Sequence, residues 1–165
     1  MANHRYSIEY VACVRSSAAR DYLSSVGLPV EHVLFSASEA AGGGGAEKVE
    51  DRDLLKLGSG GDGDDAYCVD CKTGEVFYRG SGDPSLFSVN SSPQKLSECL
   101  SAFELEIARS AGEDDPEMLE ELADLLGRSL GEIDPPALRE DPGFWRSILF
   151  DVAIGDYVDD ESQPS

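Results

Sequence analysis

Two cysteines, Cys68 and Cys71, come nearest in type and spacing to known chemistry, because they form a C-x-x-C motif. A structural zinc site needs four ligands. The other candidate ligands are scattered along the chain: Cys13, Cys99, His4 and His32. A redox-active C-x-x-C motif is typical of the start of a helix, whereas this one leads into a predicted β-hairpin. We therefore interpret both cysteines as structural residues of the hairpin, with a zinc site as the alternative.

The histidines and the glycine-rich loops lack catalytic motifs. His4 and His32 have no Asp, Ser or Cys in a recognisable catalytic arrangement, and no H-E-x-x-H, G-x-S-x-G or dinucleotide-binding motif occurs. The glycines at 42–45 are not followed by the Lys-Ser/Thr of a phosphate-binding loop, and the acidic loop at 58–65 lacks the register of an EF-hand. We therefore predict a protein that is not an enzyme and has no cofactor or metal. A small metal-binding enzyme using the two hairpin cysteines is the alternative.

The charge of the chain is strongly negative: 33 acidic residues face 13 basic ones, a net charge of -20. A field of that sign repels nucleic acid and anionic membranes and favours a basic protein partner; simple solubility is the alternative explanation. No apolar run reaches the ~18 residues of a membrane span, and the N-terminus lacks the apolar core of a signal peptide. These features predict a cytoplasmic protein with reduced cysteines.

The acidic residues concentrate in two segments, which are the candidate partner-binding residues. The first is a glycine-rich loop, and the second runs from 113 to 124 without a basic residue. The candidates are Asp62, Asp64 and Asp65 in the loop, and Glu113, Asp114, Glu117, Glu120, Glu121 and Asp124 in the second segment.

A β-hairpin and a following helix are the elements that must position these segments. Strands are predicted at 52–57, 67–70, 76–79 and 85–90, with Gly74 providing the positive φ of the hairpin turn. The run Asn90-Ser91-Ser92-Pro93 at the end of the last strand indicates the start of a long amphipathic helix, with a capping side chain before the proline.

Further helices are predicted on either side of this region. Ser16 or Ser17 caps a helix that ends at Gly27. Asp115 and the proline after it open a second helix, which we expect to end at Gly127, and residues 141–142 open the last helix.

The order and spacing of these segments resemble the SUKH superfamily, and specifically its fourth subfamily. The resemblance rests on the helix end at 26–29, the hairpin at 67–78, the Asn90-Ser91 pair before a helix and the C-terminal segment 145–155. It covers the chain from about residue 19 to residue 156.

This resemblance implies an α+β fold with a central, mostly antiparallel sheet packed with helices. We expect one such domain over residues 1–165, with 1–15 and 157–165 frayed. It also implies an immunity protein that binds and neutralises a toxin, often a nuclease or a nucleic-acid deaminase, and it brings no catalytic residues. The predicted partner is a basic cognate toxin rather than nucleic acid or membrane. A regulatory or scaffold module without a toxin partner is the alternative.

Overall fold

The computed structural model describes residues 2–40, 45–60, 65–80, 85–140 and 143–157. The chain forms two compact units, residues 1–97 and residues 98–165. Helices and antiparallel strands make up the regular structure, which confirms the predicted α+β fold. The extent of the domain, 1–165, stays a prediction.

The first unit is built on antiparallel strands. They are β1 (Asn3–His4), β2 (Leu28–Pro29), β3 (Ser36–Ala37), β4 (Glu47–Val49), β5 (Arg52–Ser59), β6 (Ala66–Asp70), β7 (Val76–Arg79) and β8 (Leu86–Asn90). Within the described ranges, β1 pairs with β2. The remaining strands form one sheet in the order β3-β5-β6-β7-β8, in which β4 also pairs with β5. All four predicted strands are present, as β5 to β8.

The hairpin of β6 and β7 is fixed by the turn that joins its strands. Gly74 has φ +83°, as predicted for this turn, and its N–H donates to the carbonyl of Asp70 at 2.8 Å. The Asp70 carboxylate accepts from the backbone N–H of Lys72 at 2.8 Å and pairs with the Arg52 guanidinium at 2.7 Å. Burial alone raises the pKa of Asp70, but the hydrogen bonds from Arg52 and the turn outweigh it and hold the pKa below its usual range.

The N-terminal segment lies against this sheet. Helix α1 (Ser17–Ser25) is capped by Ser16, whose side chain accepts from the N–H of Ala19. Gly27 follows the helix with φ +81°, where a Cβ would overlap the carbonyl group of His4. Residues 1–15, expected to fray, include a 3₁₀-helix (Tyr10–Cys13). They also contribute four buried side chains: Tyr6, Tyr10, Val11 and Val14.

Helices dominate the rest of the chain. They are α2 (Pro93–Arg109), α3 (Pro116–Ile133), a 3₁₀-helix (Pro135–Leu138) and α4 (Phe144–Ala153). The side chain of Ser92 accepts from the N–H of Lys95 at the start of α2, and Asp115 caps α3 through the N–H of Glu117. Both starts agree with the predicted signals.

Helix α3 is longer than predicted, because Gly127 does not end it. Its apolar stripe continues past Gly127 to Leu130, which is fully buried, and the helix ends only before Asp134 and the prolines that follow. The stripe packs against α4, whose Trp145 is also fully buried. Each such side chain contributes on the order of 1.5–3 kcal/mol to stability, which exceeds the cost of about 1 kcal/mol for a glycine inside a helix.

Candidate protein-interaction surface

The first predicted acidic segment contributes little exposed charge to the described structure. Asp62 and Asp64 lie outside the described residues. Asp65 is only 5% exposed, and its Oδ2 accepts from the Tyr78 hydroxyl and from the N–H of Gly60, both at 3.0 Å. A buried carboxylate with these bonds holds its own loop end in place. Contact with a partner requires an exposed side chain, whereas Asp65 is buried.

The second segment begins with acids that shape the backbone. Glu113 is half-buried, and its carboxylate accepts from the backbone N–H groups of Asp114 and Asp115, at 3.2 and 3.3 Å. Asp115 in turn accepts from the N–H of Glu117 at 3.0 Å. These bonds satisfy N–H groups at a helix start, where negative charge is favoured by the helix dipole. Asp114 itself is exposed.

Further along α3, four exposed carboxylates share one face of the helix. They are Glu117, Glu120, Glu121 and Asp124, and we call them the acidic ridge. Their spacing of three and four residues places neighbours about 5–6 Å apart at Cβ. Within the part of the chain that the structure describes, none of the four forms an ion pair.

The acidic ridge is unfavourable for the helix that carries it. Like charges three or four residues apart destabilise a helix by roughly 0.2–0.5 kcal/mol per pair. Only Glu117, in the first turn, is close enough to the helix start to gain from the dipole. The ridge therefore does not stabilise α3, which leaves solubility or contact with a partner to explain its charge.

Exposed apolar side chains flank the ridge on one side. Met118 and Leu125 are 45% and 46% exposed. They line a depression of about 450 Å³ between α3 and the C-terminal half of α2. Glu121 and Asp124 line the same depression, so carboxylates and apolar surface are contiguous there.

A wider groove lies on the other side of α3. It has a volume of about 910 Å³ and is bounded by α3, the 3₁₀-helix at Pro135–Leu138 and α4. Phe150, at its edge, is 65% exposed. Asp124 and Arg128 line both depressions, so the end of the ridge separates them. Aromatic side chains beside charged rims are typical of binding hot spots in protein interfaces.

The groove also contains a perturbed carboxyl group. Burial, and then the nearby carboxylate of Asp156, raise the pKa of Asp151. Burial raises the pKa of Tyr157 to about 12, and Asp151 and Asp156 add to the effect. Asp151 and Asp156 therefore lie close enough to interact near the end of α4.

The charge pattern did not predict these exposed apolar residues, but their positions on the two helices indicate them. Met118 and Leu125 lie off the buried stripe of α3, and Phe150 lies off the face of α4 that holds Trp145 and Val152. A large apolar residue off the buried stripe of an amphipathic helix is a candidate contact residue.

The hairpin cysteines are separated in the structure. Cys68 packs with Leu54, Ala66 and Phe77 on one face of the sheet, and burial raises its pKa to about 11. The Cys71 sulfur lies 3.1 Å from the sulfur of Cys13, a neighbour that the sequence did not indicate. Over the described ranges, no three His, Cys, Asp or Glu side chains converge as a metal site would require.

Comparison with known proteins gives one result. The sequence model of the SUKH-4 immunity protein family matches residues 5–151, which include the hairpin and the acidic ridge. No curated protein and no solved structure matches the chain. The described helices include none that is both long enough and apolar enough to cross a membrane.

Proposed function

Because the chain belongs to the SUKH-4 immunity protein family, we propose that it is a stoichiometric inhibitor of one basic toxin domain. The acidic ridge of α3 and the apolar side chains beside it form the contact surface. The toxin is a nuclease or a nucleic-acid deaminase, and inhibition covers its substrate groove without any chemical step. The inhibitor acts in the cytoplasm, where the nucleic acid that such a toxin attacks is found.

One observation carries this proposal: four exposed carboxylates occupy a single helix face and are unpaired within the described structure. A toxin that binds nucleic acid presents Lys and Arg side chains to phosphates. A row of carboxylates on a rigid helix can occupy those phosphate-binding positions. Each charge-assisted hydrogen bond formed there is stronger than a neutral one.

The distribution of charge supports the same surface. Residues 98–165 contain 19 acidic and 4 basic side chains, which gives −15 of the net −20. A field concentrated in this way accelerates the encounter with a cationic partner, and the acceleration weakens as salt is added.

The apolar side chains have a different role in the proposed complex. Phe150, Met118 and Leu125 leave between 45% and 65% of their surface exposed in the free protein. Covering them in an interface removes apolar area from water, at about 25 cal/mol per Å². We therefore assign the association rate to the ridge and the lifetime of the complex to these three side chains. Asp62 and Asp64 stay predicted contacts.

Co-expression tests this function directly. The probe is the C-terminal domain of any large secreted protein whose gene lies beside this one, expressed with and without the inhibitor. We expect the toxin domain alone to stop growth, and the pair to grow and to co-purify as a one-to-one complex. Growth arrest in the presence of the inhibitor, or a neighbourhood without a toxin gene, would favour the scaffold alternative.

A further inference from the structure

Cys13 and Cys71 form a close thiol pair whose sulfur atoms are 3.1 Å apart. They come from distant parts of the chain, because Cys13 ends the 3₁₀-helix at Tyr10–Cys13 and Cys71 follows β6. One backbone hydrogen bond joins the two segments, and a second joins Cys71 to β5. The N–H of Arg15 donates to the Cys71 carbonyl at 2.6 Å, and the N–H of Cys71 donates to the Asp53 carbonyl at 2.9 Å.

The two cysteines differ in how far their side chains are exposed to solvent. Cys13 is half-buried, whereas Cys71 is 5% exposed. Burial, and then the neighbouring Cys13, raise the pKa of Cys71 to about 12, so its side chain is a thiol at neutral pH. The other cysteines, Cys68 and Cys99, are buried as well. Cys13 is therefore the cysteine that a dissolved oxidant reaches first.

We propose that Cys13 and Cys71 are a peroxide-sensitive thiol pair that closes to an intramolecular disulfide. The sulfur of Cys13 attacks one oxygen of hydrogen peroxide and the O–O bond breaks, which leaves a sulfenic acid on Cys13 and releases one water. The sulfur of Cys71 then attacks the sulfur of Cys13. The S–O bond breaks, a second water leaves with the Cys71 proton, and the disulfide forms.

The electrons and the distances both fit this reaction. The two thiols give up two electrons and two protons, and one peroxide becomes two waters. The sulfurs must approach from 3.1 Å to about 2.05 Å, a change that small side-chain rotations can provide. A dithiol reductant reverses the step by exchange.

The bond would connect the N-terminal segment to the hairpin turn. It closes a loop between positions 58 residues apart and so restricts the unfolded chain. None of the acidic-ridge residues lies in the segment it spans. The disulfide therefore leaves the acidic ridge outside its loop, and its formation does not require a bound toxin.

Mass spectrometry of the full-length protein tests the pair. The reduced protein is treated with hydrogen peroxide, unfolded, alkylated and weighed. We expect the wild type to lose two hydrogens, to keep two of its four cysteines unalkylated, and to yield a peptide joining Cys13 to Cys71. A dithiol reductant should restore all four. The oxidised protein should melt about 5–10 °C higher than the reduced one.

Three variants complete the test. Cys13→Ser and Cys71→Ser should abolish the two-hydrogen loss, and Cys68→Ala, which removes another buried thiol of the same hairpin, should keep it. If Cys71→Ser does not fold, Cys13→Ser decides alone, since its position is half-buried. Four alkylated cysteines after peroxide, a disulfide between any other pair, or a gain of oxygen on Cys13 with no bond to Cys71 would overturn the inference.

Discussion

The two units of this protein use their charged side chains differently. Residues 1–97 carry 14 acidic and 9 basic side chains, whereas residues 98–165 carry 19 and 4. In the first unit, carboxylates pair within the fold: Asp70 with Arg52 at 2.7 Å, Glu47 with Arg79 at 3.3 Å and Glu39 with His4 at 2.9 Å. The second unit has the pair Glu106–Arg109 at 3.2 Å, yet it leaves the acidic ridge exposed.

This contrast separates charges that stabilise the fold from charges available to a partner. Asp70 is 3% exposed and bonds to a guanidinium and to a turn. Removing it leaves Arg52 and two backbone N–H groups without their acceptor. The ridge carboxylates repel one another along α3. Removing their charge should therefore weaken binding without destabilising the fold.

The largest expected effect on stability is at Asp70. Asp70→Ala should lower the free energy of unfolding by about 1–3 kcal/mol, because it removes a buried carboxylate that accepts charge-assisted hydrogen bonds from Arg52 and the turn. Chemical denaturation measures this change. Asp51→Ala, at an exposed acid in the turn between β4 and β5, is the control and should change stability by less than about 0.5 kcal/mol. Equal losses of stability in both variants would mean that the buried, paired acid contributes no more to the fold than the exposed one.

The largest expected effect on binding is at Phe150. Phe150→Ala should weaken toxin binding about 30-fold or more, as for a hot-spot aromatic, through faster dissociation. Stability should change by less than about 1 kcal/mol, because the ring is 65% exposed in the free protein. Surface plasmon resonance with the toxin domain gives both rates. Ile8→Ala, at a residue 75% exposed in the first unit, should bind as the wild type does; an equal loss there would argue against a local anchor.

The pH dependence of stability should also report the Asp70 network. The pKa of Asp70 lies below its ordinary value of 3.8 in the folded protein. Its contribution is therefore complete above that value, and it is lost as the pH falls through the lowered pKa. The stability difference between the wild type and Asp70→Asn should be constant at pH 5–7 and shrink below about pH 4. A difference independent of pH down to pH 2 would contradict the network.

The smallest expected effect is on the stability of α3. Replacing the ridge with Gln at 117, 120 and 121 and Asn at 124 should raise the free energy of unfolding by about 0.5–1 kcal/mol, since it removes like-charge pairs. Denaturation at low salt shows the gain best, because salt screens the repulsion in the wild type. A loss of more than about 1 kcal/mol would mean that the carboxylates hold the fold together after all.

Local signals in the sequence predicted much of this fold. Gly74 has the positive φ predicted for the hairpin turn. The side chains of Ser16 and Asp115 accept from backbone N–H groups at the starts of α1 and α3, as predicted. The short strands β1 to β4 were not predicted, since two or three residues show no alternation. The predicted helix end at Gly127 is wrong because the apolar stripe that packs against α4 continues to Leu130.

The candidate site was predicted only in part, for a similar reason. The exposed acids of α3 follow from helical spacing, which the sequence displays. The burial of Asp65 depends on Tyr78, a residue on another strand, and the pairing of Cys13 with Cys71 depends on the path of the whole N-terminal segment. Contacts between distant residues require the tertiary structure.

We propose that the acidic ridge, rather than the overall acidity of the chain, binds the toxin. Two variants of equal net charge test it against the wild type: the ridge variant Glu117→Gln, Glu120→Gln, Glu121→Gln and Asp124→Asn, and a control that neutralises four exposed acids of the first unit, Glu9→Gln, Asp21→Asn, Glu31→Gln and Asp51→Asn. Association rates with the toxin domain are measured at low and high salt. The ridge variant should associate about tenfold more slowly at low salt and lose most of its salt dependence, while the control stays within about twofold of the wild type. Equal slowing in both variants would contradict the claim.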